Sequence, residues 1–153
     1  MSDYRYVIKD EYSEAKQDLI ELIHLVQDEV RDYFTFRYDF IGSVARNMVT
    51  MDCDAKEGYD FDVNIRVNDD EENYTAAEIR QILKNAFDKH AFRFKYDNCE
   101  DSTRVLTIKV KDRLYSKILH SADFAVVYDC NDGRQQYIHY NKKQQTYEWQ
   151  YQP

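Results

Sequence analysis

The sequence predicts an α/β (α+β) fold, a mixed β-sheet with helices mainly on one face. Three observations predict it. The 153 residues are 43% apolar and 15% aromatic, enough core material for one domain over residues 1–153. Apolar residues recur at steps of three and four in two long segments and at steps of two in several shorter ones. The resulting order, α-β-α-β-α-β-β-β, has no internal repeat and no Pro/Gly/Ser linker, and it suits helices layered on a sheet.

The elements follow in chain order. "SEAKQDLIELIHLVQDEVRDYF" puts Leu19, Ile23, Val26, Val30 and Phe34 on one helical stripe. "TFRYDFI" alternates, with Phe36, Tyr38 and Phe40 on one face and Arg37 and Asp39 on the other, which predicts a strand. "SVARNMV" after Gly42 predicts a short helix, and "MDCDAKEG" a polar connection. "YDFDVNIRV" alternates again: Phe61, Val63, Ile65 and Val67 face one way, Asp60, Asp62, Asn64 and Arg66 the other. After the charged loop "NDDEENY", "TAAEIRQILKNAFDKH" predicts a second long helix. Thr75 is its N-cap, and Ile79, Ile82, Leu83, Ala86 and Phe87 form its buried face.

"AFRFKY" and "TRVLTIKV" are expected strands, while "KDRLYSKILHS" has no clear period. "ADFAVVYD" has the continuous apolar middle of a central strand. "RQQYIHYNKKQQTYEWQY" predicts a hairpin turning at "NKKQ". Its aromatics Tyr137, Tyr140, Tyr147, Trp149 and Tyr151 either close the domain's own core or face a partner domain or a second copy.

The net charge of −8 disfavours non-specific binding to long nucleic acid, whose phosphates it repels. It does not disfavour a nucleotide that arrives with divalent metal. No run of about 18 apolar residues predicts a membrane span. The charged start "MSDYRYVIKDEY" is unlike a signal peptide, so a cytoplasmic location is expected. The three cysteines, Cys53, Cys99 and Cys130, show no C-x-x-C spacing and predict neither structural zinc nor a disulfide frame.

Two Asp-x-Asp pairs stand out. A calcium loop starting at Asp52 fails, because Lys56 falls at position 5, Gly58 at 7 and Val63 at 12. Asp52 and Asp54 therefore read as a solvated turn. Asp60 and Asp62 lie on a strand, where a period of two puts both carboxylates on one side, about 6–7 Å apart at Cα. Like charges held that close call for a cation between them, and Mg²⁺ prefers such oxygens. Gly42-Ser43, at the end of the preceding strand, offers close backbone approach, helix-start amides and a hydroxyl for a phosphate. Asp123 is a lone acid entering an apolar strand, either at its exposed start or beside Asp60 and Asp62.

In this order, "IGS", "YDFDVNI" and "ADFAVV" resemble the nucleotidyltransferase superfamily of the DNA polymerase beta type. That pattern is hydrophobic-Gly-Ser, a helix, Asp/Glu-x-Asp/Glu on a strand and a third acid on a later strand. The resemblance spans Phe40 to Tyr128, and "DFDVNI" is most similar to the branch with second-messenger synthases, oligoadenylate synthases and related bacterial enzymes. It implies a nucleotidyltransferase-like core. Gly42 and Ser43 match the phosphate-contacting turn, Asp60 and Asp62 the metal-binding pair, and Asp123 the third catalytic and metal-binding carboxylate. The implied cofactor is Mg²⁺ or Mn²⁺. The implied reaction moves an NMP group from a nucleoside triphosphate to a hydroxyl acceptor that the sequence does not name. The alternative is a nucleotide-binding or inactive module of the same fold, serving as a regulatory or toxin–antitoxin-type partner.

This sequence departs from the pattern in three ways. The gap from Ser43 to Asp60 is longer than usual. The helical domain that usually follows the sheet has no counterpart here, so the chain is a single domain or the N-terminal part of a longer protein. No Lys/Arg phosphate clamp is evident, Arg46 and Lys56 being the nearest basic residues in sequence.

Overall fold

The computed structural model describes residues 2–41, 57–97, 99–101, 104–112 and 117–152. Helix α1 (Ser2–Val30) precedes β1 (Thr35–Ile41) and β2 (Glu57–Asn68). Helix α2 (Ala76–Ala91) and a 3-10 turn (Phe92–Phe94) lead to β3 (Glu100–Asp101), β4 (Leu106–Asp112) and β5 (Lys117–Asp129). The hairpin β6 (Gln135–Asn141) and β7 (Thr146–Tyr151) follows.

Among the described residues the seven strands form one mixed sheet in the order β1-β2-β5-β4-β3, with β6 joined to β5 and β7 to β6. β5 is central, as its apolar middle predicts. It runs parallel to β2 along one side. On its other side it pairs antiparallel with β4 as far as Phe124 and with β6 from Val127 onward. The parallel β2–β5 pair needs a long crossover, which α2 and β4 supply.

The period-two pattern divides the sheet into two chemically distinct faces. Phe36, Phe61, Val63, Ile65, Val67, Ala122, Phe124, Val126, Leu106 and Ile108 are buried on the helix-covered face. From α1, Leu19, Leu22, Ile23, Val26 and Val30 pack into the same core, with Ile79, Leu83, Ala86 and Phe87 from α2. Phe34 is buried as predicted, but it lies beyond the end of α1.

The start of α2 follows the expected chemistry. Thr75 Oγ1 accepts from the Glu78 backbone N–H at 3.2 Å, and Glu78 Oε1 accepts from the Thr75 N–H at 3.0 Å. This capping box satisfies two amide donors that the helix leaves open. Thr75→Ala is expected to cost about 1 kcal/mol. The readout is a lower urea midpoint at constant m-value, and an unmoved midpoint would contradict it.

Three expectations are corrected. "AFRFKY" is not a strand: α2 runs to Ala91, the 3-10 turn follows, and Lys95 ends it with φ 67°. The apolar residues Phe87, Ala91 and Phe94 continue the helical steps of four and three, and Phe92 points out at 69% exposure. The first helix begins at Ser2, well before Ser13. The unassigned "KDRLYSKILHS" contributes the first half of β5, from Lys117, and the end of "MDCDAKEG" contributes the first residues of β2, from Glu57.

The terminal hairpin forms as predicted, with Asn141 ending β6 before the turn. It largely closes this chain's own core. Tyr137 and Ile138 are buried, and Tyr147 and Trp149 pack partly buried against the core. The buried Arg80 of α2 lays its guanidinium over the Tyr147 ring at 4.1 Å. Tyr151 remains exposed, under Arg134.

Candidate active site

The face of the sheet opposite the helices carries the polar members of each strand. Residues directly opposed across two strands share a face, so the register reads as rows of side chains. In one row Ile41 of β1, Asp62 of β2, Asp123 of β5 and Thr107 of β4 lie side by side. In the next, Asp60, Ser121 and Lys109 do the same. The structure thus brings Asp60, Asp62 and Asp123 together on one face. Asp62 and Asp123 are direct neighbours across parallel strands, roughly 4.8 Å apart in the pairing direction. Asp123 is half-buried in the middle of β5, not at its exposed start.

The electrostatics of the cluster are unfavourable as they stand. The Asp62 carboxyl is pushed above the usual carboxylate range, first by lost hydration and then by the charges of Asp123 and Asp60. Two hydroxyls answer part of this charge. Ser121 Oγ donates to Asp60 Oδ1 at 2.7 Å. Thr107 Oγ1 donates to Asp123 Oδ1 at 2.6 Å. The nearest amine in these rows, Lys109, pairs instead with Glu100 at 3.1 Å. Farther along the same face, Arg66 is held by Asp39 and, at 3.0 Å, by Asp129.

Sequence reasoning did not single out Thr107 or Ser121. Thr107 had a signal in its parity, on the polar side of a strand whose other side is apolar, whereas Ser121 ends the stretch without a clear period and had none. Gly42 and Ser43 lie outside the described residues, as do Arg46, Asp52, Asp54 and Lys56. Ile41, immediately before Gly42, pairs with Asp62.

All three acids are hard oxygen donors, the type that Mg²⁺ and Mn²⁺ take. They stand along two strands and do not close around one point. Among the described residues no group of three or more His, Cys, Asp or Glu is spaced to hold one ion by itself. That arrangement fits Mg²⁺, which usually takes one or two carboxylates and completes its shell with water and substrate phosphates. It does not fit an all-protein cage of the calcium type.

No family model and no curated protein matches the chain by sequence. Solved structures do match. CdnG of Bradyrhizobium diazoefficiens, a CD-NTase in complex with GTP, superposes with a TM-score of 0.67 at 11% identity, covering 94% of this chain and 39% of that one. The fold is a nucleotidyltransferase-like core. The GTP-bound form of Vibrio cholerae DncV matches with a TM-score of 0.54 at 14% identity, over 96% of this chain and 42% of that one. A DncV structure described as a cyclic AMP-GMP synthase, a prokaryotic cGAS homolog, matches with a TM-score of 0.50 at 12% identity, over 93% and 41%. The chain therefore spans about two fifths of the structures it matches. At such identity the likeness is one of backbone architecture. No helix among the described residues is long and apolar enough to cross a membrane.

Proposed function

We propose that the chain is the catalytic core of a metal-dependent nucleotidyltransferase, moving an NMP group from a nucleoside triphosphate to a hydroxyl acceptor. The observation that carries this is the register: Asp62 opposite Asp123, with Asp60 two residues before Asp62 on the same face. A nucleotidyltransferase-like fold with three carboxylates on one sheet face is suited to phosphoryl chemistry, and the matched structures include GTP-bound ones.

In this proposal Asp60, Asp62 and Asp123 hold Mg²⁺ or Mn²⁺ together with the substrate's phosphates. When bound, the metal supplies charge neutralisation on the phosphates and acidifies the attacking hydroxyl. Asp123 orients that hydroxyl and accepts its proton. The hydroxyl oxygen forms a bond to the α-phosphorus, the bond from that phosphorus to the bridging oxygen breaks, and pyrophosphate leaves. Gly42 and Ser43 contact the phosphates of the triphosphate. Positioning and charge complementarity provide the rate.

Loss of either strand carboxylate is expected to reduce turnover by at least about 100-fold. The test follows pyrophosphate release from each of the common nucleoside triphosphates with Mn²⁺ or Mg²⁺. Wild type is compared with Asp60→Asn and with Asp62→Asn. Turnover close to wild type in both variants contradicts the proposal. The rival reading is a module of the same fold that binds nucleotide without turning it over. Nucleotide binding without pyrophosphate release would select it.

A further inference from the structure

The three carboxylates are not held alike. Ser121 Oγ donates to Asp60 Oδ1 at 2.7 Å, and Thr107 Oγ1 donates to Asp123 Oδ1 at 2.6 Å. Both donors come from residues directly opposite their acceptors, Asp60↔Ser121 and Thr107↔Asp123. The bonds are therefore built into the strand register and do not depend on a loop. Among the described residues no side chain donates to Asp62. Hydroxyl-to-carboxylate bonds this short are charge-assisted and among the stronger ones available to a side chain.

We propose that Thr107 and Ser121 are positioning residues, each occupying the Oδ1 atom of one carboxylate and fixing its rotamer so that Oδ2 is presented to the metal and the reacting groups. This rests on the nucleotidyltransferase reading above. Aspartate turns readily about its last torsion, which is broad and roughly two-fold. A donor on one oxygen selects one orientation at small entropic cost and lowers the charge repulsion around Asp62. Asp62, between the two locked acids, stays free to adjust when substrate arrives. Outer hydrogen bonds of this kind are commonly worth 10- to 100-fold in metal affinity or activity.

The two bonds separate in their effects. Thr107 acts through Asp123, which faces the attacking hydroxyl in the proposed reaction. Ser121 acts through Asp60, which faces metal and triphosphate. Thr107→Val, which keeps the side-chain shape, is expected to lower kcat by about 10- to 100-fold with little change in KM. Thr107→Ser, which restores the hydroxyl, is expected to recover most of it. Ser121→Ala is expected to weaken Mn²⁺ binding by about 10-fold or more in the presence of nucleoside triphosphate.

The experiment combines Mn²⁺ titration by electron paramagnetic resonance with steady-state kinetics on wild type and the three variants. Each of the common nucleoside triphosphates is tried in turn, and circular dichroism checks folding. Unchanged kcat in Thr107→Val together with unchanged Mn²⁺ affinity in Ser121→Ala overturns the proposal. So does a Thr107→Ser variant as impaired as Thr107→Val, because packing and not the hydroxyl would then be responsible. If Thr107→Val fails to fold, the Mn²⁺ affinity of Ser121→Ala decides. A wild type that binds no Mn²⁺ with any nucleotide overturns the functional reading itself, which distinguishes that failure from failure of the positioning role alone.

Discussion

Asp62→Asn is expected to abolish nucleotidyl transfer and, without metal, to make the folded protein more stable at neutral pH. The second effect follows from the raised carboxyl of Asp62. In the unfolded chain Asp62 loses its proton at the ordinary carboxylate value. In the folded chain it holds the proton to higher pH, because lost hydration, Asp123 and Asp60 all disfavour its charge. Between those two values the native state binds more protons than the unfolded state, so this group's contribution to stability falls as pH rises. Above the folded value the penalty is complete and constant. Asparagine carries no charge and escapes it. The gain is modest, since the residue is open to solvent and screened. Melting curves of both proteins in chelator, from acid to neutral pH, check it. The variant should melt higher near neutrality, and the two curves should converge in acid, below the ordinary carboxylate value. A variant that melts lower at neutral pH would show that Asp62 stabilises the fold. A site that lowers stability for the sake of chemistry is a common trade in enzymes.

Phe124→Ala is expected to cost about 3–5 kcal/mol, a large share of the roughly 5–15 kcal/mol that holds a typical domain together. Phe124 is fully buried in the central strand. Its ring stacks on Phe87 of α2, with centroids 4.3 Å apart and planes at 27°. In register it lies between Val63 and Leu106. Truncation opens a cavity at the junction of three strands and a helix, where the backbone cannot easily collapse. The stacked pair adds to the loss beyond buried area. Phe124 is also the chain neighbour of Asp123, so it anchors the candidate catalytic acid from the core side. Urea unfolding measures the cost, and a loss under about 1 kcal/mol would show that the site repacks.

Local patterning made much of the structure legible, and non-local pairing hid the rest. "YDFDVNIRV" alternates so cleanly that both the buried face of β2 and the shared side of Asp60 and Asp62 follow from parity. Asp123 was visible as an acid at the head of an apolar run, and β5 places it beside Asp62. Thr75 announced its cap because the capping box is written within four residues. "AFRFKY" misled because a short run of alternating aromatics also fits helical steps of three and four. "KDRLYSKILHS" had no period of its own, and β5 starts there because β2 and β4 offer partners on both sides. Thr107 and Ser121 became visible only through register, since their acceptors lie 16 and 61 residues away in sequence. The phosphate turn at Gly42-Ser43 is still a sequence expectation.

In the proposed function three strand-borne acids make a metal-dependent nucleotide site. Thermal stability with each nucleoside triphosphate, with and without Mg²⁺ or Mn²⁺, tests it most directly. Wild type is compared with the Asp60→Asn/Asp62→Asn double variant. A ligand at 100 times its Kd adds about 2.7 kcal/mol to the folded state. A nucleotide-induced rise in melting temperature is expected, one that requires metal and disappears in the double variant. A rise that persists in the double variant, or no rise with any nucleotide and metal, would contradict it.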